Sequence, residues 1–256
     1  MWHAGNGFSR KVLHLPHMEK KLVALVGAVF FVSSYFMARF ASAAPFGSLS
    51  AVFIAVFALP SYVSLVNYAG ARRALPALLV LSVLPLLVEA FAVWTGLPYG
   101  EFHYSDLLGY TVMGLVPASV SFAYTPILLG AMTVAGRFSG GSLTRFAMFS
   151  SLVNVSIDLV IDPAAVHTGF WGWTSPGLYY GVPLVNFLGW VVTGFVYAAL
   201  FYLLTGLEDD LPLPSSVSTS LIWILCFWTG YNLLNMLLIP GLLGVAEVLV
   251  LMRIYD

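Results

Sequence analysis

Residues 75–94 read LPALLVLSVLPLLVEAFAVW, twenty residues in which Glu89 is the sole charged side chain. The hydrocarbon core of a bilayer is about 30 Å thick, and roughly 20 apolar residues cross it as a helix. The stretch therefore reads as a transmembrane helix with an acid near one end. The rest of the chain extends the pattern. Of 256 residues, 60% are hydrophobic and 8% charged, with a mean hydropathy of +0.94. A soluble domain carries roughly 25% charged residues. With too little charge to coat a water-facing surface, this chain has lipid as its main solvent. The expected fold class is all-α, a polytopic transmembrane bundle forming one integral membrane domain over residues 1–256.

Further spans are expected at 22–41, 49–68, 110–135, 146–161, 185–205, 219–239 and 241–252, giving eight in all. The last is short and follows Pro240; read as a broken continuation of the seventh, it leaves seven. Prolines inside spans, such as Pro60, Pro85 and Pro117, are tolerated where neighbouring helices satisfy the freed carbonyls. Basic residues orient the bundle. With the N-terminus cytoplasmic, Arg10, Lys11, Lys20, Lys21, Arg72, Arg73, Arg137, Arg145 and Arg253 fall inside and Arg39 alone falls outside. Residues 1–20 are then a cytoplasmic tail, and 95–109 and 163–183 are outer loops. The expected location is the cell membrane, crossed many times. Ala41-Ser42-Ala43 resembles a signal-peptidase site, but the preceding apolar stretch is long and reads as a retained helix.

Several function classes drop out on composition. Lys11, Lys20 and Lys21 are the only lysines, all before the first span, so no retinal Schiff base forms inside the bundle. Of five histidines, His3, His14 and His17 lie in the tail. His103 and His167 alone cannot furnish a di-iron site. No dinucleotide fingerprint is visible, and a net charge of −1 gives no reason to expect nucleic acid. The lone Cys226 reads as a small packing residue.

The acids carry the functional signal, because charge inside a bilayer is costly. Glu89 lies near the outer end of the third span. Asn154, Asp158 and Asp162 are spaced four apart, which sets them along one helix face at the outer end of the fifth. Glu101, His103 and Asp106 sit in one outer loop and His167 in the other, while Glu247 lies nearer mid-bilayer. The second loop also brings Trp171, Trp173, Tyr179 and Tyr180. Interfacial belts account for some of these rings, but not for the carboxyls beside them. A carboxyl removed from water holds its proton more tightly, and such an acid has a proton to give even to an alkene. A second carboxylate can hold water and take its proton. Aromatic faces stabilise a passing cation by roughly 0.5–2 kcal/mol each. This chemistry requires no cofactor and no metal.

Two stretches carry a resemblance to a known family. The first is Glu89-Ala90, then Thr95-Gly96-Leu97-Pro98-Tyr99-Gly100-Glu101-Phe102-His103-Tyr104, then Gly109 and Val116-Pro117. The second is Asp158-Leu159-Val160-Ile161-Asp162-Pro163, then Trp171-Gly172-Trp173, then Gly177-Leu178-Tyr179-Tyr180-Gly181-Val182-Pro183, Asn186-Phe187 and Gly189-Trp190. Together they resemble the carotenoid 1,2-hydratase family of integral membrane proteins, whose members act on γ-carotene and on bisanhydrobacterioruberin. The resemblance implies addition of water to the terminal C1=C2 double bond of an acyclic ψ end group, giving a tertiary alcohol. It implies Asp158 as proton donor and Asp162 or Glu89 as the partner that holds water. Asn154, His103 and Tyr104 would orient that water, with Trp171, Trp173, Tyr179, Tyr180 and Asn186 around the substrate. The implied partners are a lipid-soluble carotenoid, the bilayer and other membrane enzymes of the same pathway.

Three rivals make different predictions. The Asn154/Asp158/Asp162 spacing also matches the first acidic motif of a UbiA-type prenyltransferase, which holds Mg²⁺ against a diphosphate. The only remaining acidic cluster, Glu208-Asp209-Asp210, falls on the opposite side of the membrane. A membrane lycopene cyclase would protonate the same alkene and close a ring before water attacks. A transporter or non-catalytic carotenoid-binding protein would use the acids otherwise, but no matching half-helix pairs are seen.

Overall fold

A computed structural model describes residues 19–40, 47–207 and 210–255. The described residues form eight helices: α1 (Lys20–Phe40), α2 (Gly47–Ala69), α3 (Ala71–Thr95), α4 (Val120–Ser139), α5 (Leu143–Thr168), α6 (Leu184–Thr205), α7 (Thr219–Leu234) and α8 (Leu238–Ile254). Six segments are long and apolar enough to cross a membrane: α1, α2 from Val52, α3, α5, α6, and Ser215–Leu234, in which a short 3₁₀ turn leads into α7. α4 is buried along most of its length, and α8 has only 17 residues. The protein is an all-α polytopic membrane bundle.

α5 is the hub, packing on α4, α6, α7 and α8, while α1 docks chiefly on α7. Lipid gives apolar helices no hydrophobic reason to associate, so close packing has to hold them. At Gly130 of α4, a Cβ would lie 2.2 Å from Leu221 of α7. At Gly230 of α7, it would lie 2.6 Å from the Phe31 carbonyl oxygen of α1. Only glycine permits either approach.

Proline placement explains two interhelical bonds. Pro85 in α3 has no N–H for the Leu81 carbonyl, and Thr125 of α4 donates its hydroxyl to that oxygen at 3.1 Å. Pro163 likewise frees the Leu159 carbonyl, and the Tyr179 hydroxyl donates to it at 3.0 Å. So repaired, α5 runs on to Thr168, one and a half to two turns beyond the end expected at 161.

The fourth expected span is corrected more deeply. Residues within 110–135 do not form one helix; β2 (Thr111–Val112) and β3 (Val116–Pro117) make a small hairpin before α4 begins at Val120. Hydropathy does not register the turn, in which Met113 and Gly114 take positive φ values of 54° and 69°. Pro117 is thus a strand residue. The seventh span also ends earlier than expected, at Leu234. Pro240 falls in the first turn of α8, where its missing N–H costs nothing.

The two long connections at the other end of α3 and α5 meet. β1 (Phe102–Tyr104) pairs antiparallel with β4 (Trp171–Trp173) and covers that end of the bundle. Lys20, Lys21, Arg72, Arg73, Arg137, Arg145 and Arg253 lie at the opposite end, near the starts or ends of their helices, and among the described basic residues Arg39 alone lies at the covered end. At the end opposite the sheet Lys20 donates to the Tyr255 carbonyl, Arg137 to the Ile254 carbonyl, and Arg73 pairs with Asp210 at 3.5 Å. The charge asymmetry expected from sequence is therefore an asymmetry of the folded bundle. Glu208, Asp209, residues 1–18 and the Ala41-Ser42-Ala43 stretch lie outside the described residues.

Candidate active site

Two polar networks lie beneath the β1–β4 sheet. In the first, α5 presents Asp158 and Asp162 one turn apart, and the first turn of α6 presents Asn186. All three are buried. The Asn186 amide donates to Asp162 Oδ2 at 2.6 Å and to Asp158 Oδ2 at 2.9 Å. The Asn186 amide thus bridges the two carboxyls, which lie one turn apart on the same helix. Trp171 lines the same space as the two aspartates. In the second network, Glu89 of α3, 4% exposed, accepts from the Tyr104 hydroxyl at 2.9 Å and from the Tyr124 hydroxyl of α4. Burial, joined by the adjacent Glu89, pushes the Tyr104 hydroxyl well above the usual tyrosine range and keeps it a donor. Glu89 lines the same cavity as both aspartates, so the networks form one acidic centre.

This centre opens into a cavity of about 510 Å³, within the range of small-molecule pockets. Glu89, Asp158, Asp162 and Asn186 are its strongest polar groups, and among the described residues no Lys, Arg or His lines it. Rings form the walls around them. Tyr124 stacks on Trp190 with centroids 4.9 Å apart and an interplanar angle of 11°, and Tyr104 meets Trp171 edge-on at 5.9 Å. Away from the acids the cavity runs between α1, α2 and α7 over Phe30, Phe57 and Trp223. Its lining there includes Phe36, Phe53, Leu107 and Phe122, all exposed and apolar, on a surface that faces lipid in a membrane bundle. The cavity thus has an acidic inner end and an apolar lateral mouth.

The family described as carotenoid biosynthesis protein matches residues 46–251, most of the chain and all of the acidic centre. The chain belongs to that family. It is also 35% identical over 168 residues to the bisanhydrobacterioruberin hydratase of Haloarcula japonica. The match covers 63% of this chain and 57% of that relative, so it spans little more than half the relative's length. No solved structure gives a significant match.

The site residues expected from sequence divide in two. Asp158, Asp162, Glu89, Asn186, Tyr104, Trp171 and Trp173 all line the cavity. Asn154, His103, Tyr179 and Tyr180 do not. Asn154 is buried against Gly194 of α6, and neither of its amide atoms has a partner. His103 is exposed on the outer face of β1. Tyr179 repairs the Pro163 break described above, and the Tyr180 hydroxyl accepts from the Ile239 N–H at 3.4 Å. His167 is also exposed, with Nδ1 2.8 Å from the Tyr231 hydroxyl. Tyr99, Phe102, Tyr124 and Trp190 line the cavity without having been singled out as site residues. Tyr99, Phe102 and Trp190 stood within the motif stretches, whereas Tyr124 carried no local signal: it sits in an apolar run on a separate helix.

Proposed function

We propose that the protein hydrates the terminal C1=C2 double bond of an acyclic carotenoid ψ end group, without a cofactor, in the cell membrane. The observation that carries this reading is the hydrogen-bonded aspartate pair on Asn186, facing Glu89 inside an aromatic cavity with an apolar mouth. The substrate class is supported by the family and by the Haloarcula japonica relative, a bisanhydrobacterioruberin hydratase. A polyene entering from lipid through the mouth carries its end group to the acids while its length stays among Phe57, Phe53 and Phe36.

In the first step a proton held by the aspartate pair, delivered from Asp158, adds to C2. The π electrons form the new C–H bond and leave a tertiary cation at C1. The Tyr124, Trp190 and Trp171 faces stabilise that cation by roughly 0.5–2 kcal/mol each. Water then bonds to C1, and its extra proton passes to Glu89. Glu89 suits the acceptor role because two tyrosine hydroxyls already hold its oxygens in place. Return of that proton to the aspartate pair, directly or through water, completes the cycle, and the net change is addition of one water.

Product analysis tests the reading. Membranes containing the protein, given lycopene or γ-carotene, are expected to yield a product heavier by one water. An isomer of unchanged mass would instead indicate cyclisation. Addition of a prenyl unit dependent on Mg²⁺ would indicate prenyl transfer, and unaltered carotenoid would leave binding or transport.

A further inference from the structure

Behind the β1–β4 sheet lies a second hollow of about 280 Å³, lined by His103, Gly172, Trp171, Trp173, Pro176 and Gly181 among others. We propose that this outer hollow is the inlet through which water reaches the aspartate pair, with Trp171 as the partition between hollow and cavity; the proposal rests on the hydration reading above. Three observations carry it. First, Trp171 and Trp173 line both spaces, so a single layer of structure separates them. Between the two tryptophans in β4, Gly172 lines the outer hollow and pairs with His103. A Cβ placed there would meet only His103 Cε1, at 3.9 Å. Second, Trp171 stands beside both networks: it lines the cavity together with Asp162, and its ring meets Tyr104, which holds Glu89. Displacing that indole exposes Asp162 and the water-accepting carboxyl together.

Third, the lateral mouth is unsuited to water. Phe36, Phe53, Leu107 and Phe122 line it, and a seated polyene fills it. The outer hollow lies at the loop-covered end of the bundle, beside the exposed polar residues Glu101, Thr174 and Ser175. Substrate and water thus reach the acids from opposite sides, and the carotenoid does not block its co-substrate.

The test places a removable plug in the hollow. In a Cys226→Ser background, Gly172→Cys puts a thiol in the wall of the hollow, where the geometry leaves room for it. Labelling with a charged trimethylammonium methanethiosulfonate is expected to slow hydration by roughly tenfold or more. Carotenoid binding should persist, and dithiothreitol should restore the rate. Pro176→Cys, on the hollow's exposed rim, provides the same readout should Gly172→Cys fail to fold. Ser175→Cys, exposed but not lining either space, should label without consequence. Full hydration by a completely labelled hollow overturns the proposal while leaving the hydratase reading intact. So does loss of carotenoid binding together with hydration, because the plug would then be acting on the substrate cavity. If the unlabelled protein adds no water to a ψ end group, the hydratase reading fails and the inlet fails with it.

Discussion

Asp158 of α5 and Glu247 of α8 are both carboxyls set in apolar helices, yet their surroundings differ. Glu247 has one partner, the Ser156 hydroxyl, and its Oε2 is buried without a second. It lines neither hollow. Asp158 meets Asn186 from α6 and Asp162 from its own helix, and faces Glu89 of α3 across a space large enough for a ligand. An intramembrane acid is a reason to look for chemistry. Convergence of several helices on a shared cavity is what separates a reaction centre from a structural contact.

The comparison breaks most visibly at the aspartates. Asp158→Asn and Asp162→Asn each remove a carboxyl from the pair and should lower the rate of product formation by roughly 10²–10⁴-fold. Elution in detergent should stay like that of the unaltered protein, because the asparagines keep the shape. Glu89→Gln should come next, at about 10²-fold, since water would lose its proton acceptor while both tyrosines keep a partner oxygen. Gly189→Ala tests the scaffold. A Cβ there would lie 2.6 Å from the Tyr99 ring and 2.7 Å from the Pro98 carbonyl oxygen. Thermal unfolding should show a loss of about 1–3 kcal/mol, with the remaining folded protein less active because Tyr99 lines the cavity. Glu247→Gln should be mildest. Hydration should stay within about twofold of the unaltered rate, with a stability change of ~0.6 kcal/mol, the scale of one hydrogen bond inside a membrane bundle. Silencing by Glu247→Gln as complete as that by Asp158→Asn would erase the distinction.

Much of the bundle was legible because lipid imposes a simple rule of twenty apolar residues. α1, α2, α3 and α6 fall close to where hydropathy sets them. The rule failed where backbone detail decides. The turn at Met113 and Gly114 lies inside an apolar run, and Pro163 does not stop α5 because the Tyr179 hydroxyl donates to the freed Leu159 carbonyl. The acids were legible from their rarity, but the i, i+4 spacing overstated their common face. Each such step rotates by about 40° on a helix of 3.6 residues per turn, so Asn154 lies about 80° around from Asp162. That drift turns Asn154 toward Gly194 and away from the cavity. Tyr124 was beyond reach, because only tertiary packing brings α4 against Glu89.

The most direct test follows two atoms at once. With lycopene as substrate in deuterated, heavy-oxygen water, the account predicts a tertiary alcohol carrying one deuterium at C2 and one heavy oxygen at C1 of each hydrated end, formed at least about 10²-fold more slowly by Asp158→Asn. Deuterium without oxygen, or double labelling by Asp158→Asn at the unaltered rate, would contradict it.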